Sequence, residues 1–433
     1  MYDAVVIGLG ASGFATVCYL VNQGLHVAVT DNRESPPLLP RLQSKFPELA
    51  IYLGEYDESI LGKARKIVMS PGICPHEPEI VQIRKKYYDI IYSDIDLFLE
   101  VYKKPIVAVT GSNGKSTVIK MIHDMVIEKG SSCTMIGNVG VPVLDFLEKT
   151  SQSSPDWVVL EISSFQLYWT KNMRADYAVV INIFPNHLDW HTNFDEYCRL
   201  KLGMLDKAQF GFISESCAHL LEDKSDINNA NIEVIKTGHV EEVDMVPAAN
   251  QESFLPKNLK ENAVVAQAIA EKIGIDNKAI KKALAEFQPW PFRCELQYHQ
   301  YGYWYNDAKS TNLAAAEHAL TNISAKHRRK VIWLCGGIAK KESFADMPSW
   351  VSRYVCHAIV YGKDASLFVN AIMGSSQVSP VKNLHEAVKL AKDIVQQEDV
   401  VVFSPAAASF DQFKNFQHRG QCFNELVSEL VEV

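Results

Sequence analysis

The sequence predicts an α/β protein of three domains in series, and three observations carry that expectation. The chain has 433 residues, which at roughly 150 residues per domain argues for two or three cores of ordinary size. Two short β-branched runs lead into glycine turns and then into helical patterns, at Gly8–Gly13 and again at Thr110–Thr117. A further alternation of strand and helix signals follows Gln288-Pro289-Trp290-Pro291, where the prolines stiffen a connection. The expected layout is a Rossmann-like N-terminal domain over 1–93, a central P-loop ATPase-like domain with a mainly parallel sheet over 94–290, and a C-terminal Rossmann-like α/β domain over 291–433.

Each element follows from local pattern. Ala4–Ile7 is a strand, Gly8-Leu9-Gly10-Ala11-Ser12-Gly13 a tight turn, the apolar stretch to Gly24 a helix, and His26–Thr30 a second strand ending at Asp31. Runs at Lys66–Met69 and Asp89–Tyr92 complete the first unit. After Lys103-Lys104-Pro105, Ile106–Val109 is a buried strand. Val118, Met121, Ile122, Met125 and Val126 then recur at helical spacing until Gly130 ends the helix. Trp157–Leu160 and Ala178–Ile183 are further strands, Ser214–Lys257 shows no organising pattern, and Ala263–Ile273 is an amphipathic helix stopped by Gly274. In the third unit Val331–Leu334, Ala358–Tyr361 and Asp399–Phe403 read as strands, with a helix from Leu384 to Val395.

Composition narrows the function classes. With 43 Lys+Arg against 51 Asp+Glu the formal charge is −8, which argues against a broad nucleic-acid surface. Nine cysteines lie between Cys18 and Cys422 without a C-x-x-C pair, as expected of reduced thiols. The N-terminal stretch does not fit a signal peptide, and no segment reaches the ~18 uninterrupted apolar residues of a membrane span. A cytoplasmic monomer is the expectation.

Two glycine turns and one polar island carry chemistry. Gly8, Gly10 and Gly13 with Asp31 have the form of a nucleotide-binding βαβ unit; a tight turn without ligand, or a nicotinamide dinucleotide site, reads the same at this level. Thr110-Gly111-Ser112-Asn113-Gly114-Lys115-Ser116-Thr117 is a phosphate-binding loop with Val109 in place of the usual first glycine. Its backbone N–H groups and helix N-terminus suit phosphate oxygens, Lys115 reaches the terminal phosphates, and Ser116 offers a hydroxyl to Mg²⁺. Glu161 ends a strand where a second metal-binding acid would project, and His187, Asp189 and His191 crowd into five residues. Each has an ordinary structural alternative.

Taken in order, these motifs resemble the Mur ligases, and within them the branch that adds D-glutamate. The resemblance spans nearly the whole chain. It includes Asp31-Asn32-Arg33, Ser70-Pro71-Gly72, the phosphate loop, Gly137–Gly140, Glu161–Gln166, the His187 island, Asn306–Asn312 and Ser404–Arg419. It implies that the first domain holds the uridine diphosphate part of UDP-N-acetylmuramoyl-L-alanine rather than NAD, through Gly10, Asp31, Asn32, Arg33, Ser70, Pro71, Gly72 and Asn138, with Ser163 and Gln166. ATP falls to Gly111–Thr117, Asn262, Arg293 and Asp307, with two Mg²⁺ ions near Ser116, Glu161 and His187. Lys201 matches the lysine that the family carboxylates on N6, making it a metal ligand. Lys309, Thr311, Lys340, Ser409 and Phe416 match positions for D-glutamate. Lys115, Glu161, His187, Lys201 and Arg293 are the implied catalytic set.

Three positions depart from the family pattern: Asn186 stands where an acid precedes the histidine, Ile338-Ala339 lack the acid and glycine before Lys340, and no His-Asn pair precedes Asn262. The implied reaction is phosphorylation of the L-alanyl carboxylate by ATP, then attack of the D-glutamate amine on the acyl phosphate. Water would hydrolyse that intermediate, so movement of the third domain on ligand binding is expected. The alternatives are another Mur-type or folylpolyglutamate synthase-like ligase, a nucleotide-binding regulator without catalysis, and an NAD-dependent oxidoreductase.

Overall fold

Residues 1–150, 154–222, 227, 231–238, 257–299, 302–340 and 343–429 are described by a computed structural model. Its strands form three sheets. The N-terminal sheet has β1 (Tyr2–Ile7), β2 (Val27–Asp31), β3 (Ala50–Leu53), β4 (Ala64–Met69) and β5 (Ile91–Ser93) in the order β3-β2-β1-β4-β5, every pair parallel. All five residues of β2 are buried, as parallel strands covered on both faces require.

The central sheet holds β6 (Ile106–Thr110), β7 (Cys133–Gly137), β8 (Trp157–Glu161), β9 (Ala175–Val180), β10 (Ala208–Ser214) and β11 (Ile232–Ile235) in the order β11-β10-β9-β6-β8-β7. It too is parallel throughout. β6 is buried along its whole length, and the helix Lys115–Glu128 leaves its end, burying the apolar positions the sequence spacing marks. The third sheet comprises β12 (Glu295–His299), β13 (Gly302–Asn306), β14 (Val331–Gly336), β15 (Val355–Tyr361), β16 (Gln377–Pro380) and β17 (Val400–Phe403), ordered β12-β13-β17-β14-β15-β16. Here β12 and β13 pair antiparallel and the rest parallel.

The chain groups into two compact units. The first contains the N-terminal and central sheets, running over Met1–Ile183, resuming at Trp190 and including Asn262–Leu284. The second holds the C-terminal sheet from Ala285 onward together with Phe184–Asp189.

Several boundaries differ from those the sequence predicts. The strand expected over Ala178–Ile183 is β9, which starts at Ala175 and stops at Val180. Ile181 N–H donates to Thr110 O, and Asn182 then turns onto the phosphate loop, so an apolar run is recruited as a loop support. The helix expected over Ala263–Ile273 begins at Lys257. The polar stretch after Ser214 includes β11, an edge strand with two exposed residues and hence no apolar alternation. The antiparallel pair β12 and β13 is not among the strands expected from sequence, although Tyr303-Trp304-Tyr305 is a run of strand-favouring residues.

Gly13 shows why the first turn needs glycine. A Cβ there would lie 1.9 Å from Gly8 O and 2.7 Å from Ser70 Oγ, atoms that the Ser70 Oγ–H to Gly8 O bond of 2.6 Å holds together. Gly13→Ala is therefore expected to destabilise the fold by about 1–3 kcal/mol, the usual cost of overpacking, measured as a lower denaturation midpoint with unchanged slope.

Candidate functional site

The phosphate loop lies where β6 ends between β8 and β9, a strand end at which open α/β sheets bind ligands. Gly114, at φ +81°, precedes the helix, and a Cβ there would meet Asn262 Oδ1 at 2.5 Å. Both the backbone conformation and the space thus demand glycine. The contact also brings Asn262, buried, against the loop without the His-Asn pair before it. Asn182, which no sequence motif marks, braces the loop: its Oδ1 accepts from Ser112 N–H at 3.1 Å and Asn113 N–H at 2.9 Å. Its Nδ2 donates to Asn113 O at 3.2 Å. An asparagine beyond a strand carries no signal of this role in sequence. Ser112 Oγ is 2.8 Å from the Tyr197 hydroxyl, tying the loop to the helix Phe194–Asp206. Ser116 and Thr117 are buried in the first turn of the loop's own helix.

Three charged groups meet under the loop. Lys115 Nζ donates to Gly111 O at 2.8 Å and Ser112 O at 3.1 Å. Lys201 Nζ donates to the same Gly111 O at 3.0 Å and to Thr110 Oγ1 at 3.2 Å, and lies 4.7 Å from the centre of the Tyr197 ring. Lys201 is only 1% exposed. Burial, with repulsion from Lys115, holds its pKa well below the ordinary lysine value, against attraction from Glu161. Glu161, also 1% exposed, ends β8 opposite Val109 in register. Its Oε1 accepts from Asn138 Nδ2 at 2.8 Å, whereas its buried Oε2 has no hydrogen-bond partner. A buried carboxylate oxygen with unused lone pairs beside a phosphate loop is suited to a hard cation.

The histidine island divides. His187 adopts φ +57° in the segment that groups with the second unit. His191 is a core residue of the first unit: its Nε2 is 2.9 Å from Ser164 Oγ, and its ring packs against Trp190, Tyr197 and Phe165. Among the described residues no group of three or more His, Cys, Asp or Glu side chains is placed to hold a metal, so the island does not form such a cluster.

At the end of β2, Asp31 is spent on its own loop. Its Oδ2 accepts from Leu9 N–H at 2.6 Å, and Arg33 grips both oxygens through Nε at 2.8 Å and Nη2 at 2.7 Å. Burial pushes the Asp31 pKa up, but Arg33 and the backbone N–H donors outweigh it and hold it below the usual value. The Arg33 side chain remains half exposed. Ser70, buried, bonds Gly8 O, while Gly10 and Gly72 have open space where a Cβ would be. Asn32 and Pro71 flank these residues in the same two loops. Ser163 and Gln166 form a capping box on the helix Ser164–Trp169, which occupies the side chains that the resemblance assigns to the sugar nucleotide.

In the second unit the loops after β13, β14 and β17 carry the remaining candidates. Lys309 Nζ sits 4.1 Å from the centre of the Phe416 ring. Ile338 and Ala408 form an antiparallel bridge, joining the strand ends that lead to Lys340 and to buried Ser409, and Lys340 Nζ donates to Asn186 Oδ1 at 3.1 Å. Gly337, at φ +132°, has Ala408 O 2.2 Å from its Cβ position, so the bridge requires glycine there, and Ile338, which departs from the family pattern, takes part through its backbone. Asp307 is buried: Oδ2 accepts from Ser310 Oγ at 2.5 Å and Ser404 Oγ at 2.8 Å, and Oδ1 from Cys294 N–H at 3.3 Å. Burial raises its pKa to about 6 against these bonds and the nearby Arg293 charge. It organises the loop that leads to Lys309 and Thr311.

Comparison with known proteins gives one family over the whole chain. Models described as the Mur ligase MurD-like N-terminal domain, the Mur ligase middle domain and the Mur ligase glutamate ligase domain match residues 2–92, 109–273 and 292–407. The chain is 34% identical to the UDP-N-acetylmuramoylalanine--D-glutamate ligase of Pseudomonas aeruginosa, covering 99% of this chain and 98% of that protein. It is 32% identical to the ligase of the same name from Nitrosococcus oceani, over 99% and 97%. Among solved structures, the UDP-N-acetylmuramate-alanine ligase of Thermotoga maritima shares the fold at TM-score 0.60 and 16% identity, over 99% of this chain and 100% of that one. Escherichia coli FolC with ADP does so at TM-score 0.58 and 17% identity, over 78% and 92%.

His191 gives a pH test of this packing. Burial, aided by Lys201 and His76 and opposed by Glu196, pushes its pKa down to about 4 from 6.5. The folded state then binds fewer protons than the unfolded state between those values, so stability present above pH 6.5 is lost as pH falls toward 4. Thermal midpoints measured from pH 7 to 4 should fall, and His191→Phe should flatten part of that slope; an unchanged slope would place His191 outside the core.

Proposed function

The chain belongs to the Mur ligase family, and from that premise we propose that it is the ATP-dependent ligase that joins D-glutamate to UDP-N-acetylmuramoyl-L-alanine in peptidoglycan precursor synthesis. The observation that carries the phosphoryl-transfer half is the loop Gly111–Thr117 with buried Glu161 Oε2 unpartnered beside it. The acceptor and amino acid come from the D-glutamate-adding relatives that the chain matches over 99% of its length.

A carboxylate and an amine do not condense in water, so the carboxylate must first become an acyl phosphate. The loop N–H groups and Lys115 hold the ATP phosphates, and the helix N-terminus stabilises charge on the transferring group. Glu161, Ser116 and His187 are the candidate ligands for divalent cations. When bound, Mg²⁺ would offset the repulsion between the substrate carboxylate and the γ-phosphate. Lys201 fits the family's N6-carboxylation: burial beside Lys115 favours the neutral amine, which can attack CO₂ and lose one proton to give a carbamate. That change turns a second nitrogen donor under the loop into an anionic acceptor.

Arg33 and the open backbone around Gly10 and Gly72 support a diphosphate at the N-terminal glycine turn. Asp31 acts there by fixing Leu9 and Arg33. Lys309, Thr311, Lys340 and Ser409 offer the cationic and hydroxyl donors that two carboxylates require, with Phe416 positioning Lys309. Arg293 is a candidate phosphate contact and Asn262 a candidate adenine-side contact. The described residues contain no helix long and apolar enough to cross a membrane.

Phosphate release from ATP is expected only when both UDP-N-acetylmuramoyl-L-alanine and D-glutamate are present; release with neither, or with another amino acid, contradicts this function. Lys201→Ala should lower kcat by about 100-fold or more, the scale of losing one preorganised electrostatic group, and added short-chain carboxylic acid should restore part of it. Wild-type turnover by that variant without added acid would remove the carbamate from the mechanism.

A further inference from the structure

The segment from Gly72 to Cys74 is held against Trp169 and Trp190, all within the first unit. Trp169 Nε1–H donates to Ile73 O at 3.1 Å, Trp190 Nε1–H to Gly72 O at 3.4 Å, and Cys74 Sγ–H to Trp190 O at 3.7 Å. One contact of this joint is between two polar side chains: His76 Nε2 lies 3.2 Å from Glu196 Oε2. The same Oε2 accepts from Thr192 N–H at 2.9 Å and faces His191 Nδ1 at 3.5 Å. Glu196 thus bonds two groups on one oxygen, His76 and Thr192 N–H, with its side chain 20% exposed.

Its place in the chain gives the joint a consequence. Glu196 occupies the first turn of the helix Phe194–Asp206. The next residue, Tyr197, is bonded to the phosphate loop through Ser112, and one turn further Lys201 reaches Gly111 O. The helix therefore touches the proposed sugar-nucleotide loop at its start and the phosphate loop in its middle. The L-alanyl carboxylate must meet the γ-phosphate of ATP in line, and misplacement by about 1 Å costs of order 100-fold in rate. One connection between the two loops runs through this helix.

We propose that Glu196 is a positioning residue that, through His76, locks the Ser70–His76 loop onto the helix carrying Lys201 and so sets the seat of the UDP-substrate. This rests on the function proposed above. Neither side chain touches reacting atoms; their effect passes through the loop backbone. Removing the carboxylate frees His76 and leaves Thr192 N–H without its acceptor, while glutamine keeps an acceptor for both.

The test is steady-state kinetics of the full chain with each substrate varied in turn, for Glu196→Ala, Glu196→Gln, His76→Ala and the Glu196→Ala/His76→Ala double variant, with unfolding midpoints as the control. Glu196→Ala and His76→Ala should each raise KM for the UDP-substrate by about tenfold, the scale of one charge-assisted hydrogen bond, with KM for ATP and D-glutamate within about twofold. The double variant should be no worse than the poorer single one, since the two act as a unit, and Glu196→Gln should recover most of the loss. Multiplicative effects in the double variant, or all three KM values rising together with a lowered midpoint, would overturn the proposal. A wild-type protein without turnover refutes the function itself; active wild type with kinetically unchanged variants refutes only the role of Glu196 and His76.

Discussion

Two lysine side chains donate to one carbonyl oxygen, that of Gly111, and much of the central domain is arranged around that fact. Two ammonium groups so close, one of them buried, repel at an effective dielectric far below that of water. The structure relieves this from several sides. Glu161 lies near with a free oxygen, the Tyr197 ring presents its face to Lys201, and burial favours the neutral form of Lys201. Binding of anionic phosphates would draw Lys115 off the carbonyl, and a carbamate on Lys201 would reverse the sign of the second group. The proposed chemistry resolves this charge conflict.

Elsewhere charge is handled by pairing. Asp31 is held ionised by Arg33 and Leu9 N–H, and serves to shape the glycine turn. Asp307 is buried among hydroxyl donors with a raised pKa, and shapes the loop after β13. The two acids resemble ligand contacts in sequence and act as internal braces in the fold. The net charge of −8 is no obstacle to the anionic substrates proposed above, because the cations proposed to contact them, Arg33, Lys115, Arg293, Lys309 and Lys340, are few and local.

Local pattern makes much of the fold legible. The strands at Ala4–Ile7 and Ile106–Val109, their glycine turns and the following helices form where the sequence predicts them, because a buried parallel strand is a short apolar run and the turn needs residues without a Cβ. The phosphate loop is legible for the same reason. Asn182, Tyr197 and Glu196 are not: each works through a partner distant in sequence, and an asparagine, a tyrosine or a glutamate has no local pattern that announces such a partner. His191 illustrates the converse, a histidine in a conspicuous cluster that is a core residue, its ring against Trp190, Phe165 and Tyr197 and its Nε2 on Ser164 Oγ.

The α/β class, the order of three sheets, the phosphate loop and, through long ordered motifs, the family all follow from the amino-acid sequence. These depend on local geometry: apolar period, glycine at positive φ, a cation following a turn. Packing in three dimensions settles that Ile181 leaves the strand to support the loop, that Ser163 and Gln166 cap a helix, that Asp31 and Asp307 face inward, and that Lys201 shares an acceptor with Lys115. Those outcomes depend on which groups lose water together, and desolvation is a property of the packed fold that no single stretch of chain carries.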